Sequence, residues 1–247
     1  PTVEYTAGTL TDLSANALAS TGAVASVDTA PPVVLSISTV DDDTNGSVDM
    51  YKVTFSEPVD DSTFDNTQDS DTTFTLTGLL SGPVVDTADD EIIYVAITEV
   101  ANNTGTVGDY TATAGLIDDF AATPVQAIAV DTGIVETDGA SPIVSGVAIG
   151  DGDGVVTVTF SENVTSTGVA RSDINPTATG DKFGTTDPSV VQASTSDTLT
   201  FTLDSSNTDA AKFLATDIFN FSGNETKIKD AANNDLVTNT DLPVINL

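Results

Sequence analysis

The side chains that could bind a ligand in this chain are carboxylates, and one group of them has the spacing of a calcium loop. The sequence DDDTNG, which begins at Asp41, contains the D-x-D-x-N-G first half of an EF-hand loop. Asp41, Asp43 and Asn45 would present oxygen ligands at alternate positions, and Asp49 falls at the ninth position. Lys52 occupies the twelfth position, where an EF-hand needs a bidentate Glu, and no helical pattern flanks the loop. A true EF-hand is therefore excluded.

Two interpretations of this loop remain open. It is a partial oxygen cage for Ca²⁺ that a carboxylate from elsewhere completes, with Glu57 or Asp60 as the nearest candidates. Alternatively it is a solvated acidic turn, because Asp, Asn and Gly are common turn residues. The glycine-rich sequence around Asp151 and Asp153 stands at the same place in the second half of the chain. It predicts either a Ca²⁺ site that carbonyl oxygens help to form or a tight β-turn.

One segment occurs twice, and this repeat indicates how the chain is organised. The sequence TVDDDTNGSVDMYKVTFSEPV begins at Thr39, and the shorter sequence GDGDGVVTVTFSENV begins at Gly150. Both end in Phe-Ser-Glu-x-Val, and their glutamates, Glu57 and Glu162, are 105 residues apart. This offset is the length of one small β domain, so the chain is predicted to be a tandem array.

A second phrase marks the end of each repeat. It is an aspartate followed six residues later by Leu or Val, and it occurs at Asp12, Asp119 and Asp230. A junction that contains proline follows, and its aspartates, Asp28 and Asp138, are 110 residues apart. Proline is tolerated at the first position of a strand and stiffens the hinge before it. The predicted organisation is a preceding incomplete repeat or donor segment at 1–30, domains at 31–138 and 141–240, and a tail or following repeat at 241–247.

Within each predicted domain, apolar and polar residues alternate with the period of a β-strand. Short runs rich in Val, Ile and Thr are separated by clusters of Gly, Asp, Asn and Ser. About seven such strands per repeat predict an all-β fold of tandem immunoglobulin-like Greek-key β-sandwiches. The predicted strands are 33–39, 51–56, 73–77, 92–98, 110–113, 127–130, 143–148, 155–160, 190–193, 198–203 and 218–221, while 209–216 is either a short helix or a loop.

The junctions predict a further cation site. Asp28 and Asp138 lie where one predicted sandwich meets the next, near loop ends that carry other carboxylates. A Ca²⁺ ion would relieve the repulsion among these carboxylates and convert a flexible hinge into a rigid one. The alternative is that the aspartates accept backbone N–H bonds in turns and hold no metal. The candidate junction ligands are Asp28, Asp138, Glu57, Glu162, Asp119 and Asp230.

The composition restricts both partners and chemistry. Asp and Glu number 38 against 6 Lys and Arg, for a formal net charge of −32, so phosphate backbones and anionic lipid surfaces would be repelled. No run of 18 apolar residues occurs, and we expect neither a nucleic-acid partner nor membrane insertion. Cys and His are absent, which removes thiolate sites, most zinc sites and the commonest general base. Carboxylate pairs suited to glycoside hydrolysis arise by number alone among so many acids, and we expect no enzymatic activity.

The order of these phrases resembles a known class of repeats. An Ala-Pro-Pro or Ser-Pro junction, Val-Thr-Phe-Ser-Glu-x-Val and Asp-x-x-x-Asn-x-Leu resemble the Ig-like repeats of bacterial and archaeal cell-surface proteins, which include S-layer subunits and long adhesins. The resemblance covers nearly the whole chain, with Thr123 standing where Asn16 and Asn234 stand in the other endings. It implies an exported protein of the cell surface that contacts neighbouring repeats and binds Ca²⁺ in loops and at domain junctions.

Three functions are expected in order of preference. The first is an extracellular structural protein, a Ca²⁺-stabilised subunit of an S-layer or surface filament that self-associates into a lattice or filament. The second is a spacer in the stalk of a calcium-dependent adhesin. The third, a carbohydrate-binding accessory module of a secreted enzyme, is disfavoured by the absence of Trp. In a subunit, residues 1–30 would complete a neighbour's sheet through main-chain pairing.

Overall fold

The computed structural model describes most of the chain. The described residues are 2–25, 28–79, 89–101, 103–120, 133–149, 155–169, 189–192, 196–202, 218–219, 225–237 and 242–246. The predicted ligands Asp151 and Asp153, the predicted strand 127–130 and the segment 209–216 lie outside these residues.

The described chain is nearly all β-structure, as predicted, and its helical parts are two 3-10 turns, Asp61–Thr63 and Glu225–Lys227. A first hairpin pairs β1 (Thr2–Tyr5) with β2 (Thr21–Ala25). The strands that we call the first unit are β3 (Val34–Val40), β4 (Met50–Phe55), β5 (Val59–Asp60), β6 (Asp69–Asp71), β7 (Leu76–Leu79), β8 (Ile92–Ile97), β9 (Tyr110–Ala112) and β10 (Asp118–Asp119). The second unit contains β11 (Val144–Ile149), β12 (Val155–Ser166), β13 (Ser189–Gln192), β14 (Ser196–Thr202), β15 (Ile218–Phe219), β16 (Ile228–Lys229) and β17 (Leu242–Asn246).

The first unit is built on an antiparallel sheet in the order β3-β4-β8-β7. Buried residues alternate with partly exposed ones along β8, because successive side chains of a strand point to opposite faces. Two small antiparallel pairs, β5 with β10 and β6 with β9, accompany this sheet. The pairing of β5 with β10 brings the ending of the repeat beside the strand that follows Phe-Ser-Glu.

The second unit is built on a larger sheet in the order β13-β14-β12-β11-β17-β15. β12 is 12 residues long and pairs with β11 and β14 along its first part. Its last residues, Thr165 and Ser166, pair with β16. β17 pairs in parallel with β11. As in the first unit, the ending of the repeat lies beside the strand that follows Phe-Ser-Glu.

The serine of Phe-Ser-Glu makes the same two hydrogen bonds in both units. Ser56 N donates to Val33 O at 2.9 Å, and Val33 N donates to Ser56 Oγ at 3.1 Å. Ser161 and Ile143 repeat these bonds at 2.9 and 3.0 Å. In both units they lie beside a register shift at the start of the first strand. The glutamate after each serine is thereby held next to the linker that enters its unit.

Two separate hydrophobic cores fill the units. Burial of such apolar surface is the main favourable contribution to folding. Among the described residues, sixteen from Val34 to Ala140 are buried in the first core, and within it Tyr51 contacts the rings of Phe74 and Tyr110. The second contains eleven buried residues from Val144 to Leu236.

Most strand predictions fall within a few residues of the observed strands, and one requires correction. The strand predicted at 73–77 is wrong at its start, since β7 begins at Leu76. The backbone N–H groups of Thr73 and Phe74 donate to the Asp71 carboxylate instead of pairing in a sheet. This stretch therefore consists of a turn that Asp71 caps, followed by strand β7.

Within the part of the chain that the structure describes, no helix has the length and apolar character needed to cross a membrane.

Gly108 tests the packing of the first core. Its φ is +75°, and a methyl group at this position would lie 1.7 Å from Tyr51 Oη and 2.9 Å from the Phe74 ring. We expect Gly108→Ala to lower the free energy of unfolding by about 3–5 kcal/mol through strain and overpacking. Gly115→Ala is the matched control, with φ +89° and open space around it, and should lose only about 1–2 kcal/mol. Equal losses in urea unfolding would contradict this description of the core.

Candidate metal centre

The structure brings three of the predicted junction ligands together. Asp138, Glu162 and Asp230 each offer a carboxylate oxygen, and the three oxygens lie within 4.8 Å of one another. Asp138 belongs to the linker between the units, Glu162 follows Ser161 on β12, and Asp230 directly follows β16. We call this group the downstream junction site.

Asp230 is held in place by its own loop. Its side chain is only 4% exposed. Asn234 N donates to Asp230 Oδ1, and Asn234 Nδ2 donates to Oδ2, both at 2.8 Å. Asn234 Nδ2 also lies 3.2 Å from the carbonyl oxygens of Asp138 and Ala140. The Asp-x-x-x-Asn ending therefore fastens the second unit to its incoming linker.

The other two carboxyls of this site have raised pKa values. Burial raises the pKa of Glu162 to about 8, and the negative charges of Asp138 and Asp230 add to the effect. Burial and the charge of Asp230 raise the pKa of Asp138 to about 6. A hydrogen bond joins these two carboxyls, and Glu162 Oε1 is a buried oxygen with no hydrogen-bond partner among the described residues. The site thus holds more negative charge than its surroundings stabilise.

The first unit forms the opposite wall of this site. Thr104 hydrogen-bonds to Glu162, and its Oγ1 lies 2.6 Å from Ser161 Oγ. Thr39 Oγ1 lies 3.5 Å from Asp138 Oδ1. A cleft of about 380 Å³ opens here, lined by residues of both units that include Asn103, Gly105, Asp138, Glu162 and Asp197. None of the described residues that line this cleft is basic.

The corresponding residues one repeat earlier form an upstream junction site. Partial burial and the charges of Asp28 and Asp119 raise the pKa of Glu57. Asp28 Oδ1 accepts a bond from Ala30 N at 3.1 Å, as Asp138 Oδ1 does from Ala140 N at 3.2 Å. A cleft of about 210 Å³ adjoins Asp28 and Glu57. Unlike the downstream trio, these three carboxylates do not all lie within 4.8 Å of one another.

Asp119 differs from its counterpart Asp230 in what surrounds its carboxylate. It is 2% exposed, and neither of its oxygens has a hydrogen-bond partner in the described part of the chain. Thr123 stands in the sequence where Asn234 stands in the second unit, so the amide that satisfies Asp230 is not available here. A buried carboxylate without partners is unfavourable unless a cation or a proton neutralises it.

The acidic loop that begins at Asp41 also brings its predicted ligands together. Asp41, Asp43 and Asp49 have oxygens within 4.8 Å of one another, and Asn45 Nδ2 donates to Asp43 Oδ2 at 3.0 Å. The carboxylate added from elsewhere is Glu99, which accepts from Asn45 Nδ2 at 3.1 Å and hydrogen-bonds to Asp49.

Neither Glu57 nor Asp60, the predicted candidates, completes this loop. Glu57 lies at the upstream junction, and Asp60 caps the turn Asp61–Thr63 through Ser62 N at 3.0 Å. The six residues of β4 carry the chain roughly 20 Å from the acidic loop to the opposite end of the sheet. Glu99 arrives instead because β8 pairs with β4 and Ile97 N donates to Asp49 O.

Backbone N–H groups donate to the carboxylates of the acidic loop. Asp41 accepts from Gly46 N at 2.9 Å and Asn45 N at 3.1 Å, while Asp49 Oδ2 accepts from Asp42 N at 2.6 Å. Burial raises the pKa of Asp41, and it raises that of Asp49 to about 6. The acidic-turn interpretation accounts for these bonds. The loop also packs on the second unit, because a methyl group on Gly46 would lie 2.8 Å from Ile143 Cδ1.

The sequence does not reveal Glu99 or Thr104 as members of these sites. Both follow β8, far along the chain from the residues they contact. The one signal that could have found Glu99 is the register of the β4–β8 pair, which aligns Met50 with Ala96. No family model, curated protein or solved structure matches the chain. The carboxylates and their surroundings are therefore the basis for assigning a function.

The raised pKa values predict how the metal-free protein responds to pH. The pKa values of folded Glu162 and Asp138 are raised to about 8 and about 6 from their ordinary values of 4.5 and 3.8. This contribution to stability is fully present below the unfolded pKa and is lost as pH rises through the folded pKa. We expect the free energy of unfolding, measured with urea in chelator, to fall between pH 5 and 8. Glu162→Gln should flatten the fall above pH 6, whereas Glu4→Gln on exposed β1 should not; equal slopes in both variants would contradict the assignment.

Proposed function

We propose that this chain is an extracellular structural protein of the cell surface, built of Ig-like Greek-key β-sandwich repeats, whose junctions are clamped by Ca²⁺. The observation that supports this most directly is the downstream junction site. There the carboxylates of Asp138, Glu162 and Asp230 meet, and none of the described residues that line the cleft is basic. Such a protein acts as a rigid element of an S-layer lattice or surface filament.

Calcium suits the chemistry of the junction. All of its side-chain donors are oxygens, and Ca²⁺ takes 6–8 oxygen ligands in flexible geometry. Carboxylates of Asp138, Glu162 and Asp230 would bind directly, while water or nearby hydroxyl and carbonyl groups would complete the coordination. Mg²⁺ demands near-ideal octahedral geometry and keeps several waters, which fits a wide three-carboxylate cleft less well. With net charge −32 and 6 basic residues, divalent cations also reduce the repulsion that opposes the compact state.

An ion at this position would hold the linker and the two units together. Asp138 lies on the linker, Glu162 and Asp230 belong to the second unit, and Thr39 and Thr104 of the first unit contact two of these carboxyls. Binding couples the linker to both units, because the ion's affinity depends on all ligands being in place. Without the ion, Glu162 keeps a proton up to its pKa of about 8, while the charges of Asp138 and Asp230 still repel each other and favour opening of the joint. The array is therefore stiff in calcium and pliable in chelator.

Asp119 provides a variant whose effect should change sign with calcium. In chelator, Asp119→Asn removes a buried unsatisfied charge, and we expect the melting temperature to rise by about 2–5 °C. In calcium the same change removes a ligand, and we expect the melting temperature to fall by more than about 5 °C relative to the wild type. Thermal melting of both forms in both buffers measures this.

Asp118→Asn is the matched control, because Asp118 is the adjacent, more exposed residue of the same strand. It should change the melting temperature little in either buffer. If Asp119→Asn shifts the melting temperature equally with and without calcium, a cation at the upstream junction is ruled out.

Assembly is the second measurable consequence. We expect the chain to form ordered sheets or filaments by electron microscopy on adding millimolar Ca²⁺, and Glu162→Gln to reduce this assembly. Asp235→Asn is the control, since Asp235 is an exposed acid of the same ending that pairs with Lys229. A chain that binds Ca²⁺ at the junction and stays an extended monomer would contradict the lattice role and favour the stalk of an adhesin.

A further inference from the structure

The first hairpin of the chain presents an apolar face that no described residue covers. β1 and β2 pair only with each other among the described strands. Large apolar side chains are exposed on the hairpin and its connecting loop: Val3, Leu10, Leu13, Leu18 and Val24. A groove of about 360 Å³ lies along the loop, lined by Leu10, Thr11, Asp12, Asn16, Ala17 and Leu18. An exposed patch of this kind marks an interaction surface.

The loop of this hairpin repeats three hydrogen bonds between the aspartate and the asparagine of the second unit's ending. Asn16 N and Nδ2 donate to the two oxygens of Asp12 at 2.9 and 2.8 Å, as Asn234 does to Asp230 at 2.8 Å for both bonds. Asp12 N donates to Asn16 O at 3.0 Å, and Asp230 N donates to Asn234 O at 3.2 Å. The backbone of the ending therefore takes its shape without the rest of a unit.

The apolar residues on either side of this loop also correspond to those of the second unit's ending. They are exposed in the hairpin, whereas their counterparts are buried. Leu18 N donates to Leu10 O at 2.9 Å, and Leu236 N donates to Ile228 O at 3.0 Å. Leu10 and Leu18 are 58% and 49% exposed, whereas Ile228 and Leu236 are 1% and 2% exposed within the second core. Ile117, the counterpart of Leu10 in the first unit, is fully buried. The buried endings of the two units thus indicate that the core of a repeat is what covers the exposed ending in the hairpin.

The short strand in the ending of each unit pairs with the same kind of segment. Asp118 and Asp119 pair with β5, and Ile228 and Lys229 pair with the end of β12. In each case the partner is the antiparallel strand segment that follows Phe-Ser-Glu. The corresponding edge, Leu10–Thr11, has no such strand beside it among the described residues.

We propose that residues 2–25 are the closing element of a β-sandwich repeat and that their exposed face docks on the first part of a repeat of this same type. Leu10–Thr11 pairs antiparallel with the strand that follows Phe-Ser-Glu in that repeat, and Leu10 and Leu18 enter its core. Asp12 then lies beside the glutamate in the Phe-Ser-Glu of the repeat that it docks on, as Asp230 lies beside Glu162. The docking rests on main-chain pairing and apolar burial, so it is independent of the calcium proposal.

The test extends the full chain at its amino end with a copy of residues 141–224, the second repeat without its ending. We expect hydrogen exchange of peptides from residues 2–25 to slow by at least tenfold relative to the unextended chain, because closing the repeat protects these amides. Two matched controls should show no slowing. One carries Leu10→Asp with Leu18→Asp, and the other uses residues 141–237, whose own ending occupies the docking position. Unchanged exchange in the extended chain would overturn the proposal, as would equal slowing in either control.

A second measurement uses the chain without any extension. Leu10→Asp with Leu18→Asp should leave the melting temperature within about 2 °C of the wild type, since these side chains belong to neither core, whereas Ile228→Asp should abolish cooperative melting of the second unit. Destabilisation of either unit by the double variant would show that this chain already covers the face, and would overturn the proposal.

Discussion

Crowding of like charges at the junctions is the constraint on which the arrangement of the two units depends. Asp138, Glu162 and Asp230 hold oxygens within 4.8 Å of one another, and the raised pKa values of Glu162 and Asp138 show that the protein around them does not offset the charge. Only a proton or a cation can do so. A proton neutralises one carboxyl at a time, whereas the divalent cation that we propose would bridge all three and tie the linker to the second unit. A proton thus relieves the repulsion without joining the linker to the second unit, whereas a bridging cation would also join them.

The surrounding backbone is built to bring these carboxyls to one place. Ser161 ties the start of β11 to β12 through two hydrogen bonds and contacts Thr104 of the first unit. Asn234 fastens Asp230 and reaches the carbonyl groups of the linker. The upstream junction has the same serine and aspartate bonds, but Thr123 stands in the sequence where the asparagine would be, and Asp119 has no hydrogen-bond partner among the described residues. The two junctions therefore differ in how far hydrogen bonds from the described residues satisfy the buried aspartate, and on our proposal the upstream carboxylate would depend more on a cation.

Sequence alone predicted the strands and the junction residues for the same reason, which is repetition. The alternation along β4 and β8 reports which face is buried, and the repeated phrases contain Asp138, Glu162 and Asp230, whose carboxylates lie close together in the structure. Partners outside the repeated phrases were missed, because Glu99 and Thr104 reach their sites only through the pairing of β8 and the contact between units. β6 was missed because Asp69–Asp71 has the composition of a turn, although it pairs with β9. The strand expected at 73–77 started too early because Asp71 captures the amides of Thr73 and Phe74.

Residual dipolar couplings of the intact chain measure the rigidity of the junction most directly. They report the orientation of each unit in a weakly aligned sample, and the two units can be fitted separately. In calcium we expect both units to give one common alignment tensor, and in chelator we expect tensors of different magnitude and orientation, as for two bodies on a hinge. A single common tensor in both conditions would contradict the claim that a cation holds the joint.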